Sequence, residues 1–174
     1  MGYTSYLQKY EIIRVTPTLD TNAYAQGDVL FVATEIPNAV REVGGCSKLV
    51  AMYIVNQNTT DVDIDFIFSE NSAVFGTINA TANLDDDVLQ AANITGFLTL
   101  DAGEISASTS QIDTSEIKRV GVVDSGGDST LLTAPILIQA ASNSTSVYVV
   151  GILTGSATPT YAADDIDLVF HIEK

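Results

Sequence analysis

Apolar and polar residues alternate along much of the chain. In Val62-Asp63-Ile64-Asp65-Phe66-Ile67-Phe68, the residues Val62, Ile64, Phe66 and Phe68 share one parity, while Asp61, Asp63 and Asp65 share the other. A strand sends successive side chains to opposite faces, so this spacing predicts a strand with one buried and one wet face. The segment 164–172 repeats the pattern, with Ile166, Leu168, Phe170 and Ile172 expected inward and Asp165, Asp167 and His171 outward. Further runs rich in β-branched and aromatic residues span 10–15, 28–33, 49–55, 96–100, 117–122, 131–138 and 146–153. Turn-forming stretches separate them: Gly44-Gly45, Asn56-Gln57-Asn58, Asp124-Ser125-Gly126-Gly127-Asp128, Ser142-Asn143-Ser144 and residues 155–159. About nine or ten closely spaced strands predict an all-β sandwich or barrel.

One segment departs from period 2. Between Asn83 and Ala92, the residues Leu84, Val88 and Ala91 fall at helical spacing. Asn83 is placed to cap the segment, and Asp85, Asp86 and Asp87 suit a helix N-terminus. One short helix is therefore expected. A parallel α/β fold would alternate strands with helices of ten or more residues, and its doubly covered strands would not carry acidic faces. Residues 11–174 read as a single antiparallel domain. Residues 1–10 read as an N-terminal arm or first edge strand, and residues 102–115, rich in Ser and Thr, as a long exposed loop.

The chain has 174 residues, 46% of them hydrophobic, which is enough for one packed core. Only 7 Lys and Arg face 22 Asp and Glu, giving a formal net charge of -15. Lys9, Arg14, Arg41, Lys48, Lys118, Arg119 and Lys174 are scattered along the sequence. Binding to phosphate backbones needs a concentrated basic patch, so neither nucleic acid nor an anionic membrane is expected as a partner. No apolar stretch approaches the length of a membrane span, and the first residues lack the basic-then-apolar pattern of an export signal. Four Asn-x-Ser/Thr sequons, at Asn58, Asn79, Asn93 and Asn143, are read as composition rather than as glycan sites.

Candidate chemistry is sparse. Cys46 is the only cysteine, so no disulfide can form within the chain, and it is expected to be a small buried thiol. His171 is the only histidine and is expected on a strand surface; with Cys46 it cannot complete a zinc site. Phosphate-loop, dinucleotide and nucleophile-elbow motifs are missing. Asp85-Asp86-Asp87, Asp124 with Asp128, and Asp164-Asp165 could offer oxygens to calcium, but none has the spacing of a calcium loop and they read as polar turns. No catalytic residue, metal or cofactor is assigned, and the chain is expected not to be an enzyme. Tyr3, Tyr6, Tyr10 and Tyr24 cluster early and are candidate interface residues, because tyrosine buries a large area yet keeps a polar tip. Ile67, Val122 and Val169 are further candidates, as apolar strand residues beyond those a sandwich needs inside.

The order of segments carries a resemblance. Gln26-Gly27-Asp28-Val29-Leu30 follows an aromatic start. Next come the 49–55 strand, the 61–68 strand, Ala73-Val74-Phe75-Gly76 and a short acidic helical segment before Ile94-Thr95-Gly96-Phe97. Tyr148-Val149-Val150-Gly151-Ile152 and Pro159-Thr160-Tyr161 precede the last strand. This layout resembles the capsid decoration (cement) proteins of marine tailed phages. The resemblance implies an antiparallel β-sandwich of jelly-roll type. It also implies a homo-oligomer, often a homotrimer, on the outside of the virion head, bridging major capsid protein subunits. Two other classes stay open on the residues alone: a carbohydrate- or calcium-binding adhesion module, and a tail or fibre-base component.

Overall fold

The computed structural model describes residues 9–58, 60, 62–100, 116–120 and 135–174, the stretch 116–120 by its backbone. Nine strands and one helix occur among them. They are β1 (Tyr10–Val15), β2 (Val29–Ile36), β3 (Cys46–Asn56), β4 (Ile64–Ser69), α1 (Asp86–Ala92), β5 (Ile94–Leu100), β6 (Glu116–Val120), β7 (Ile136–Gln139), β8 (Val147–Leu153) and β9 (Ile166–Glu173). Each expected run yields a strand where it is described. Val122 and the stretches 102–115 and 124–128 lie outside the described residues.

All strand pairs are antiparallel, and they form two sheets. The first runs β1-β9-β3-β6, with β7 pairing the same edge of β3 beyond β6; the second runs β2-β8-β4-β5. At 11 residues β3 is long enough to serve both partners, pairing Cys46–Leu49 with β7 and Met52–Asn56 with β6. The first and last described residues meet: Tyr10 lies opposite Glu173, and the Lys174 N–H donates to the Lys9 carbonyl at 2.8 Å.

The core lies between the sheets, as an antiparallel sandwich requires. The predicted inward residues Val62, Ile64, Phe66 and Phe68, together with Ile166, Leu168, Phe170 and Ile172, are all buried in it. Phe68 and Phe170 meet edge-to-face with centroids 6.2 Å apart, which ties the second sheet to the first.

The helix is real, but its register differs from the expected one. Asp85 is the N-cap, with no side-chain cap bond, and Asn83 instead accepts the Asp85 N–H at 3.0 Å. Leu84 and Ala91 are exposed, and Val88, Leu89 and Ala92 face the protein. The Leu84–Val88–Ala91 reading starts the helix two residues too early, because Leu84 precedes the cap. The helix ends at Asn93, which takes a left-handed conformation (φ 50°). Asn79 (φ 59°) does the same in the segment leading to the helix. Asparagine tolerates this region better than most residues, so two of the four sequon asparagines have a backbone role.

Candidate interaction surface

A sandwich has two outer faces, and here they differ. The outer face of the four-stranded sheet carries Val29, Ile67, Val150 and Ile152, and α1 with the segment 73–82 folds over them. Phe75 and Ala92 complete this second buried cluster. Ile67, expected as an exposed interface residue, is therefore only 6% exposed. Its parity is outward, as the sequence indicated, but the chain covers that face itself.

No described segment covers the outer face of the five-stranded sheet. From β1 it presents Tyr10, Ile12 and Arg14, all exposed. From β9 come the half-buried Val169, His171 and Glu173, and from β3 come Lys48, Val50, Tyr53 and Val55. Leu137 of β7, paired with Lys48, is 63% exposed. The rows are set by register: Ile12 lies opposite His171, and Arg14 opposite Val169, which in turn lies opposite Tyr53. The His171 and Tyr53 rings meet at 5.2 Å, so the histidine packs within the face.

Charge frames this apolar centre. Lys9 pairs with Glu173, Lys48 approaches the same carboxylate at 3.7 Å, and Lys174 pairs with Glu11. The hydrogen bond from Lys9 holds the Glu173 carboxyl below its ordinary range, with Lys48 acting in the same direction; the same bond raises the Lys9 ammonium. The Lys9 ammonium also sits 5.5 Å from the centre of the Tyr10 ring. Thr16 closes one side by donating its hydroxyl to Asp167.

The cations that look scattered in sequence are gathered in space. Lys9 precedes β1, Arg14 is in β1, Lys48 in β3, Lys118 and Arg119 in β6, and Lys174 follows β9. The seventh, Arg41, lies between β2 and β3, and its guanidinium donates to the Lys174 carbonyl at 3.4 Å. All seven Lys and Arg thus belong to the five-stranded sheet or touch it. The strands β2, β8, β4 and β5 and the helix α1 contain none.

The sequence-derived candidates have mixed fates. Tyr10 is 58% exposed at the margin of the uncovered face, and Val169 lies within that face. Tyr24 is 1% exposed. Its ring meets Tyr161 edge-to-face at 5.8 Å, its hydroxyl donates to the Leu30 carbonyl at 3.1 Å, and its oxygen accepts the Asp20 N–H at 2.6 Å. Its area is spent inside the chain, so it offers nothing to a partner. Tyr3 and Tyr6 lie outside the described residues. Ile12, Val50, Tyr53 and Leu137 escaped notice in the sequence, although the adjacent Ile12-Ile13 pair signals a strand apolar on both faces.

Cys46 is exposed, not buried as expected. It opens β3 on the outward parity, while Ser47 takes the inward position and donates to the Ala39 carbonyl at 2.7 Å. Cys46, Glu70, Asn93, Thr95 and Gln139 line a shallow groove beside β7. There the Asn93 amide donates to Glu70 at 3.3 Å. Asp85, Asp86 and Asp87 open α1, and Asp165 accepts the Ala162 N–H at 2.6 Å. Among the described residues no group of three or more His, Cys, Asp or Glu is placed to hold a metal ion. No described helix is long and apolar enough to cross a membrane. No protein-family model matches the chain, and no curated protein is significantly similar to it.

Proposed function

We propose that this chain is a non-enzymatic structural protein that docks onto other proteins through the outer face of its five-stranded sheet, and that its setting is the outside of a phage head. One observation carries the docking reading. The chain covers one outer face of its sandwich with its own helix and leaves the other, with its exposed Ile12, Val50 and Leu137, uncovered among the described residues. Contiguous exposed apolar surface bordered by polar groups marks an interaction site. The aromatic and aliphatic centre with a charged rim has the anatomy of a protein interface.

The virion setting draws on the layout of segments and on the strand order. The alternation β1-β9-β3-β6 against β2-β8-β4-β5 supports reading the sandwich as a jelly roll, an architecture that viral capsids use. In this role the chain braces neighbouring major capsid protein subunits.

The test is composition and placement. Particles purified from the chain's source should contain the protein at a copy number fixed by the capsid lattice. The double variant Ile12→Asp with Leu137→Asp should fold with an unchanged melting temperature yet be missing from the particles. Absence of the wild-type protein from particles overturns the virion setting. Full retention of the double variant overturns the docking face.

A further inference from the structure

We infer that β1 is an open sheet edge that takes up an added β-strand, an extended segment of a partner protein with an aliphatic residue and a carboxylate two positions apart. The inference rests on reading the five-stranded sheet as the docking side of the molecule, and it names how a partner is held there.

The phase of the ladder fixes where β1 points its backbone. By continuation of the β1–β9 register Lys174 lies opposite Lys9, and its N–H donates to the Lys9 carbonyl at 2.8 Å. Hydrogen-bonded and non-hydrogen-bonded rungs alternate in an antiparallel pair. Glu11, Ile13 and Val15 therefore bond to β9, while Tyr10, Ile12 and Arg14 turn their N–H and C=O groups to the free side of β1. The far side of β9 agrees. The Gln57 N–H donates to the Asp165 carbonyl at 2.8 Å, which gives the odd-numbered residues of β9 to β3 and leaves the even-numbered ones for β1. Among the described residues no strand pairs with the free side of β1.

A row of unpaired backbone groups is a template for another strand, and proteins usually blunt it with a bulge, a proline or a cover. Both edges of the four-stranded sheet are blunted. The β2–β8 register slips twice, and Thr81 and Ile78 bridge to Asp28 and Val29 at the start of β2. The β4–β5 register slips between Phe68 and Ser69, and Gly96 of β5 lies so close to β7 that a Cβ built on it would stand 2.7 Å from Cδ1 of Ile136. β1 has no such device. Its 6 residues pair with β9 in unbroken register and include no proline, and Tyr10 and Ile12 are 58% and 52% exposed.

The side chains name the occupant. An added strand sets alternate residues beside Tyr10, Ile12 and Arg14 on the outer face. Ile12 favours an aliphatic neighbour. Lys9, Lys48 and Lys174 already have carboxylates in Glu173 and Glu11, but Arg14 is exposed and meets no carboxylate among the described residues. Asp or Glu beside Arg14 pairs with it, and Lys or Arg there is repelled. The β1 strand of a second copy has no acid on its outer parity, so it does not meet this requirement. Main-chain bonds supply the affinity, and Arg14 selects the partner.

The test is selection on the immobilised full chain from a library of random peptides of about ten residues, long enough to lie along β1. Enriched peptides should carry an aliphatic residue and Asp or Glu two positions apart. Calorimetric affinity of the best peptide should fall at least about tenfold when one alternate set of its backbone nitrogens is methylated, and hold when the other set is, because only one set faces β1. Ile12→Pro removes an N–H that β9 does not use, so it should fold and lose the peptide, whereas Ile12→Ala should retain it. A thermal melt checks the fold, and the methylated pair decides the matter if Ile12→Pro does not fold. Selection on Arg14→Glu should enrich Lys or Arg in place of the acid. No enrichment, indifference to both methylation patterns, or an acid preference unmoved by Arg14→Glu each overturns the inference. Peptides that ignore methylation but are lost from the double variant Ile12→Asp with Leu137→Asp leave the broad docking face standing and overturn the edge.

Discussion

Gly151 lies directly against the ring of Phe31: a Cβ built on it would stand 2.4 Å from Cε1 of that ring. Gly151 is the register partner of Phe31 on one side and of Phe66 on the other, and the two rings lie 6.3 Å apart across it. The missing side chain is what lets them close over β8. Gly151→Ala forces ring and strand apart and should cost about 1–3 kcal/mol, the usual range for overpacking. Urea unfolding measures it. Phe31→Leu added to Gly151→Ala should recover part of the loss, which separates crowding from any effect of alanine on the strand itself.

Tyr161 and Tyr24 predict opposite outcomes for the same substitution. The Tyr161 hydroxyl is buried and has no hydrogen-bond partner among the described residues, and burial raises its pKa. Tyr161→Phe keeps the edge-to-face contact and removes the unpaired group, so stability should rise by about 1 kcal/mol. Tyr24→Phe strips the link between the Asp20 N–H and the Leu30 carbonyl and should lower stability by about 1–2 kcal/mol. Equal effects of the two variants in urea unfolding would contradict this assignment.

Asp65 sits on β4 with a carboxyl that burial pushes above its ordinary value, opposed by the hydrogen bond from Thr99 at 2.7 Å and assisted by Asp63. A carboxyl raised in the folded state stabilises the fold only at low pH, and that contribution is lost as pH rises through the folded value. At pH 7 the ionised group is a cost. Asp65→Asn keeps an oxygen for Thr99 and drops the charge, so the melting temperature at pH 7 should rise by about 2 °C. The gain should vanish below the ordinary carboxylate value of 3.8, where wild-type Asp65 is itself neutral.

Asp20 behaves in the reverse sense. It accepts the Asn22 N–H at 2.7 Å, the Asn79 amide at 3.1 Å and the Asn22 amide at 2.7 Å, which together hold its carboxyl below 3.8. A lowered carboxyl stabilises the fold above its unfolded value, and the contribution is lost as pH falls through the folded value. Asp20→Ala should therefore melt below wild type at pH 7, with the difference shrinking as pH drops below 3.8. A difference that persists at pH 2 would show that the side chain acts by packing instead.

Two strands show where sequence reading succeeds and where it stops. Both β3 and β8 are nearly unbroken apolar runs, a pattern that says both faces carry apolar side chains. That much, with the inward residues of β4 and β9, was legible from period 2 alone. Their second faces have opposite fates: Val150 and Ile152 of β8 lie under the helix cover, whereas Val50, Tyr53 and Val55 of β3 face outward without one. Nothing local to either strand distinguishes these outcomes, because the cover comes from residues 73–92. Ile67 was misassigned for the same reason. The gathering of cations was illegible for a related one: Lys9, Lys48 and Lys174 are far apart in sequence and become neighbours only through the order β1-β9-β3. Cys46 turned on one step of parity at a strand end, where Ser47 claimed the inward site.

The meeting of Lys9 with Lys174 has a mechanical consequence. Residues 9 and 174 emerge from the same end of the β1–β9 pair. A pull exerted between them opens that pair like a zipper, loading one rung of hydrogen bonds at a time. A pull along the strands from opposite ends loads every rung together. A load borne between residues 9 and 174 should therefore unravel the sheet at low force, while the same load entering through the broad face of the sheet is shared across β1, β9 and β3 at once.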